Sequence, residues 1–151
     1  MTNERTEETH DIQQAREQLK KRLWKYQALK SEQEQLLQRL ADIEATLYHP
    51  KIQRLTGMPS APSEGNAMED MAAQHVELQQ RYQEQLERLA AEQLAIEKTI
   101  EALEPTARML MRYRYLDGLT WEEVCVKLTY SWRQTHRLHA RALDALLDKT
   151  A

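Results

Sequence analysis

The stretch from residue 120 to residue 134 reads TWEEVCVKLTYSWRQ, and it determines how the C-terminal third of the chain is interpreted. It contains two capping boxes, one beginning at Thr120 and the other at Ser131. In a capping box the hydroxyl accepts from the backbone N–H three residues later, and the side chain of that residue reaches back to the first N–H. The pattern predicts a short helix over about 121–128 and a longer one over about 132–148.

The residues just before this stretch predict a further helix. Pro105 suits a first helical turn, and the dipeptide Asp117-Gly118 is a stop signal. Two short capped helices in tandem behind such a helix are typical of a helix-turn-helix, and they would occupy residues 104–151. The side chains expected to pack these helices together are Val124, Leu128, Tyr130, Leu138 and Leu143.

Charge is distributed unevenly along the chain. Residues 1–103 contain 13 Lys and Arg against 18 Asp and Glu, whereas residues 104–151 contain 8 against 6. No acidic residue occurs over 124–143, and Arg133, Arg137 and Arg141 recur there every four residues. Such a strip on one helix face would fit a DNA major groove about 12 Å wide. A confined basic face in a chain of net charge −3 predicts a nucleic-acid contact, and a merely solvated charge row is the alternative.

These residues resemble a known family. The runs 112–124 (RYRYLDGLTWEEV) and 130–134 (YSWRQ), with 137–139 and 142–143, look like the C-terminal module of ArpU/RinA-like phage late-gene transcription regulators. That module is similar to the promoter-reading C-terminal domain of sigma factors. The resemblance covers residues 104–147. It departs from the usual pattern at Thr129, where a turn glycine is common, and at Thr135, where an aliphatic residue is usual.

The resemblance implies a sequence-specific regulator of transcription that binds double-stranded DNA and is encoded by a phage or prophage. It implies base contacts at the start of the last helix and backbone contacts beside them. The expected DNA-contacting residues are Lys127, Ser131, Trp132, Arg133, His136, Arg137 and Arg141. Two alternatives stay open: a small DNA-recognition subunit of a phage packaging terminase, and a sigma-like adaptor that binds RNA polymerase.

Two long segments with apolar residues at near-heptad spacing precede this region. Five of the seven Gly and Pro residues lie over 50–65, which predicts helices over about 11–48 and 67–103 with a loop over 49–66. Equal lengths favour a long antiparallel helical hairpin, a coiled coil closing either within one chain or between chains. Residues 1–10 are expected to be disordered. Assembly into a homodimer or higher homo-oligomer is expected to use Leu19, Leu36, Leu40, Tyr82, Leu86, Leu89, Ile96 and Ile100.

We expect no enzymatic activity, cofactor or metal. The single cysteine, Cys125, sits where helices cross, and the neighbours Glu122 and Glu123 point in different directions on a helix. His136 and His139 have the spacing of a metal-binding pair but lack a third ligand at matching spacing. No apolar run approaches the ~18 residues of a membrane span, and the N-terminus lacks a signal-peptide core. These features predict a cytoplasmic protein without a membrane partner.

Overall fold

The computed structural model describes residues 2–48 and 64–150, and the regular structure in both ranges is helical. The predicted all-α fold class is therefore confirmed. The helices are α1 (Thr2–Tyr48), α2 (Glu64–Ile100), α3 (Pro105–Met111) with a π-helical continuation (Arg112–Leu116), α4 (Trp121–Leu128) and α5 (Trp132–Thr150).

Helix α1 begins much earlier than expected. It starts at Thr2, so the prediction of disorder is wrong for residues 2–10. This segment has no Gly or Pro, and Glu4 lies in the first turn, where the helix dipole favours negative charge. The hydroxyl of Thr9 donates to the carbonyl of Arg5 at 2.9 Å. Residues 3–10 are exposed, so local interactions rather than packing account for the extra turns.

The second helix also differs from its predicted bounds. It begins at Glu64 and ends at Ile100, whereas the sequence pattern predicted 67–103. Most of the predicted loop, residues 49–63, lies outside the described residues. The chain divides into two compact units: the middle unit is Leu29–Leu89, and the terminal unit comprises the segments up to Ala28 and from Ala90 onward.

Within the middle unit, α1 and α2 contact each other in antiparallel order. The amide of Gln85 donates to the carboxylate of Glu32 at 3.0 Å, and a ring nitrogen of His75 lies 2.9 Å from the carboxylate of Glu44. A higher residue number on α1 thus pairs with a lower one on α2.

Within the terminal unit, α3, α4 and α5 enclose a close-packed core. Its fully buried side chains are Ile100, Leu110, Met111, Val124, Thr135 and Leu143. Four of the five expected packing residues are buried, but Tyr130 is 38% exposed and its assignment was wrong. Tyr130 belongs to the turn between α4 and α5, where its backbone N–H donates to the carbonyl of Cys125 at 3.1 Å.

The residues expected to join two chains divide into two groups. Leu40, Ile96 and Ile100 are buried by packing within a single chain. They are covered because the apolar seam of each unit already packs within one chain. The remaining five keep surface available for a partner: Leu19, Leu36, Tyr82 and Leu89 are half-buried, and Leu86 is exposed.

Candidate nucleic-acid interface

Both capping boxes form, as the sequence predicted. The Thr120 hydroxyl accepts from the N–H of Glu123 at 3.3 Å, and the Glu123 carboxylate accepts from the N–H of Thr120 at 2.8 Å. The Ser131 hydroxyl accepts from the N–H of Gln134 at 3.2 Å, and the Gln134 side-chain oxygen accepts from the N–H of Ser131 at 3.0 Å. These bonds satisfy backbone donors that the first turns of α4 and α5 leave free. They fix where α4 and α5 begin.

The turn between α4 and α5 depends on an unusual backbone conformation at Thr129. This residue is left-handed, with φ 56° and ψ 35°, and its N–H donates back to the carbonyls of the last turn of α4. Left-handed backbone costs a residue with a Cβ about 1–2 kcal/mol, which glycine avoids. The turn therefore forms with threonine in place of the usual glycine, but the threonine makes the folded chain less stable than glycine would.

The arginine strip lies on the exposed side of α5. Arg133, Arg137 and Arg141 are all exposed, as is Lys127 on α4. Among the described ion pairs none involves these four side chains. Eight residues of helix separate the first arginine from the last, a distance of about 12 Å at ~1.5 Å per residue. The result is a short, uncompensated row of guanidinium groups at the start of α5.

Ser131 and Trp132 flank this strip at the first turn of α5. Both are exposed, and Trp132 keeps 53% of its surface open to solvent. The Ser131 hydroxyl already accepts a bond within its capping box, so it retains its proton for an outside acceptor such as a phosphate oxygen. Both residues remain compatible with the expected contact.

His136 lies among aromatic side chains. Its half-buried ring sits 4.5 Å from the ring centroid of Trp121 and 4.5 Å from that of Trp132. Its Nε2 atom is buried without a hydrogen-bond partner, and burial, followed by the charges of Arg114 and Lys20, lowers its pKa. The ring of His136 thus packs against both indoles, and its contact with DNA stays a prediction.

His139 is buried deeper, one turn further along α5. The hydroxyl of Tyr115 lies 2.7 Å from its Nε2, and the ring of Trp121 meets it edge-on at 4.7 Å. Burial, aided by the charges of Lys20, His136 and Arg114, lowers the pKa of His139 to about 4, and burial raises the pKa of Tyr115. A neutral imidazole and a protonated tyrosine hydroxyl therefore share this buried hydrogen bond. The contact with Tyr115 was not predictable from the sequence, since no local pattern links residues 24 positions apart.

A cation between two indoles is the feature that sequence reasoning missed altogether. The guanidinium carbon of Arg114 lies 4.6 Å from the ring centroids of both Trp24 and Trp121, a cation–π geometry on each side. One of its nitrogens donates to the carbonyl of Leu119 at 2.8 Å. The arrangement joins α1 to the first turn of α4. Trp24 is too distant in sequence for any local motif to reveal it.

Two further contacts hold α1 against the other helices of the terminal unit. The guanidinium of Arg16 donates twice to the carboxylate of Asp144, at 2.7 and 2.6 Å. The amide of Gln27 donates to the carbonyls of Tyr115 and Leu116, at 2.9 and 2.8 Å, at the end of the π-helical turn. The strip on α5 thus stands on a scaffold that includes the N-terminal half of α1.

Cys125 has a packing role. It is half-buried, and its thiol donates to the hydroxyl of Thr135 at 3.3 Å. The resemblance has an aliphatic side chain at position 135, and here a buried threonine finds a local sulfur partner instead. Within the described ranges, no three His, Cys, Asp or Glu side chains come together as a metal site would require.

No protein-family model matches the chain, and neither the curated proteins nor the solved structures include a significant match. None of the helices in the described ranges has the length and apolar character that a membrane span needs.

Proposed function

We propose that α4 and α5 form a helix-turn-helix that binds double-stranded DNA, and that the chain regulates transcription, in a phage or prophage setting as the sequence resemblance implies. One observation carries the proposal: an exposed arginine row without paired carboxylates begins directly behind a doubly capped, three-residue turn. In a helix-turn-helix, this start of the second helix is the part that meets base edges.

The roles of the individual side chains follow from their reach. Arg133 and Arg137, within the first two turns of α5, would donate to guanine edges, and each bidentate pair discriminates by about 1–3 kcal/mol. Lys127 on α4 and Arg141, the last arginine of the strip, would neutralise phosphates. Their contacts would make the affinity for DNA depend on salt. Trp132 would pack on the sugar–phosphate backbone or on a thymine methyl group.

The helical-hairpin region would supply oligomerisation, as a coiled coil carrying the reader. Large apolar side chains of the middle unit remain open to solvent: Leu37 is 52% exposed, Val76 54% and Leu86 41%. Two helices alone cover only part of their apolar faces, and a four-helix arrangement of two chains would cover more. A dimer would place two readers on half-sites about one helical turn, ~34 Å, apart.

The test is selection of bound fragments from phage and host DNA by the purified chain at ~150 mM salt, where nonspecific binding weakens and sequence readout survives. We expect one enriched site upstream of an operon. Arg137→Gln should abolish the enrichment, whereas Arg88→Gln, an exposed arginine on α2, should leave it unchanged.

Other outcomes would replace the proposal by a rival. Enrichment beside packaging genes would identify a terminase subunit. Failure to enrich any fragment, together with binding to purified RNA polymerase, would identify a sigma-like adaptor. Equal enrichment by the wild type and by Arg137→Gln would remove the arginine strip from the site.

A further inference from the structure

A concave groove on the terminal unit lies beside α5 but is separate from the arginine strip. Its volume is about 540 Å³, within the range typical of small-molecule sites. Helix α1 contributes Lys20, Lys21 and Lys25 to its lining. Helix α5 contributes His136. The lining contains no carboxylate.

The floor of the groove is aromatic. Trp24 and Trp121 line it together with Arg114, whose guanidinium lies between their rings. Trp24 remains 40% exposed, so part of its indole surface can accept a stacked ring. An indole already polarised by a cation, with free surface beside it, is a stacking platform for a planar heterocycle.

The groove also carries an excess of positive charge, because its lining has four cationic side chains and Glu17 lies near only Lys20 and Lys21. Lys20 pairs with Glu17 at 2.6 Å, but among the described residues no ion pair engages Lys21, Lys25 or Arg114. The pKa of His136 is lowered in part by Arg114 and Lys20, which reflects the same local field. Lys21 and Lys25 lie four residues apart, on the same face of α1, and together they can contact a multiply charged anion.

We propose that this groove binds a free nucleotide, whose phosphates contact Lys21 and Lys25 and whose base stacks on Trp24. The lysines favour an anionic group, and the exposed indole favours a planar aromatic ring. A nucleoside phosphate contains both groups in one molecule. A single pocket of this volume holds one nucleotide, whereas binding of a strand uses an extended run of platforms. The proposal does not depend on duplex DNA binding through α5.

The test is calorimetric titration of the full chain with AMP, ADP and GDP, beside adenosine, inorganic phosphate and a ten-residue oligothymidylate. We expect at least one nucleotide to bind saturably with one-to-one stoichiometry. Adenosine and inorganic phosphate should each bind with an affinity lower by about tenfold or more, since each contains only one of the two groups that contribute to the binding free energy. Lys21→Gln combined with Lys25→Gln should weaken nucleotide binding about tenfold, and Trp24→Ala should do the same.

Lys98→Gln is the matched control, because Lys98 is exposed on α2 within the same unit but does not line the groove. Its affinity should equal that of the wild type. The substituted lysines are exposed, and circular dichroism at 222 nm will verify that the variants keep their helices. The proposal is overturned if no nucleotide binds saturably, if the lysine variants bind as the wild type does, or if only the oligonucleotide binds. None of these results bears on the Arg137 experiment, so the two proposals fail separately.

Discussion

The middle and terminal units differ sharply in how much they bury, although the same two long helices run through both. Among the described residues of the middle unit only Gln33 and Leu40 are buried. In the terminal unit the core includes Leu110, Met111 and Leu143, each at most 1% exposed. Two packed helices enclose little volume, whereas three short helices added to them close a core from several directions.

The polar interiors of the two units resemble each other in one respect. In the middle unit the buried Gln33 donates to the carbonyl of Tyr82 over a long 3.3 Å, and its own side-chain oxygen is buried without a partner. In the terminal unit the buried His139 has the hydroxyl of Tyr115 at 2.7 Å, whereas Nε2 of His136 is buried without a partner. A buried polar atom without a partner costs about 1–3 kcal/mol. Both units bury an unpartnered polar atom, so they differ mainly in the size of the apolar core, while the middle unit leaves Leu37, Val76 and Leu86 exposed.

The largest effect is expected from truncating the terminal core. Leu110→Ala should lower the free energy of unfolding by about 2–5 kcal/mol, because a fully buried leucine leaves a cavity. Leu36→Ala, at a half-buried position of the middle unit, should cost about 1 kcal/mol or less. Urea unfolding followed by circular dichroism measures both. Equal losses would contradict the contrast between the units.

The next largest effect is a dependence of the free energy of unfolding on pH, which arises from His139 in the terminal unit. Folding lowers the pKa of His139 from about 6.5 to about 4, so between these values the unfolded chain binds the proton and the folded chain does not. Stability therefore falls as the pH falls, by about 2 kcal/mol between pH 7 and pH 5 for this residue.

Tryptophan fluorescence is the appropriate probe for this loss, since Trp24, Trp121 and Trp132 all belong to the terminal unit. His139→Gln keeps a hydrogen-bond acceptor for Tyr115 but cannot titrate, so its stability should depend less steeply on pH. If wild type and variant lose the same stability between pH 7 and pH 5, the assignment of this effect to His139 is wrong.

A smaller gain is expected in the middle unit. Gln33→Leu removes the unpartnered buried oxygen and adds apolar packing, and it should stabilise the chain by about 1 kcal/mol. Because the middle unit contains no tryptophan, circular dichroism at 222 nm is the measurement. Gln35→Leu, at an exposed position two residues later, is the control and should change little. Destabilisation by Gln33→Leu would show that the glutamine is required where it is.

The smallest effect concerns the turn behind the arginine strip. Thr129→Gly should stabilise the terminal unit by about 0.5 kcal/mol. Glycine relieves the backbone strain at φ 56°, and this gain slightly exceeds the entropic cost of making the unfolded chain more flexible. Thr129→Ala keeps a Cβ and should bring no such gain. Thermal unfolding of both variants provides the comparison, and a stabilised alanine variant would refute the explanation from backbone strain.

Features that depend on neighbours along the chain could be predicted from the amino-acid sequence. The capping boxes, the bounds of α4, the proline at the start of α3 and the exposed arginine periodicity were all predictable, because each involves residues at most one or two turns apart. The start of α1 differs from the prediction, because a polar segment without Gly or Pro can still form a helix.

Contacts between side chains of distant segments could be identified from the folded chain alone. The tertiary structure placed Arg114 between Trp24 and Trp121, and it buried Ile96 and Ile100 inside one chain. The spacing of apolar residues predicts that a helix has an apolar face, but it does not predict which partner covers that face. The hydrophobic effect is non-directional, so different apolar surfaces can cover it equally well. The arginine strip could therefore be read from the sequence, whereas the lysine and tryptophan groove beside it exists only once α1 lies against α4 and α5.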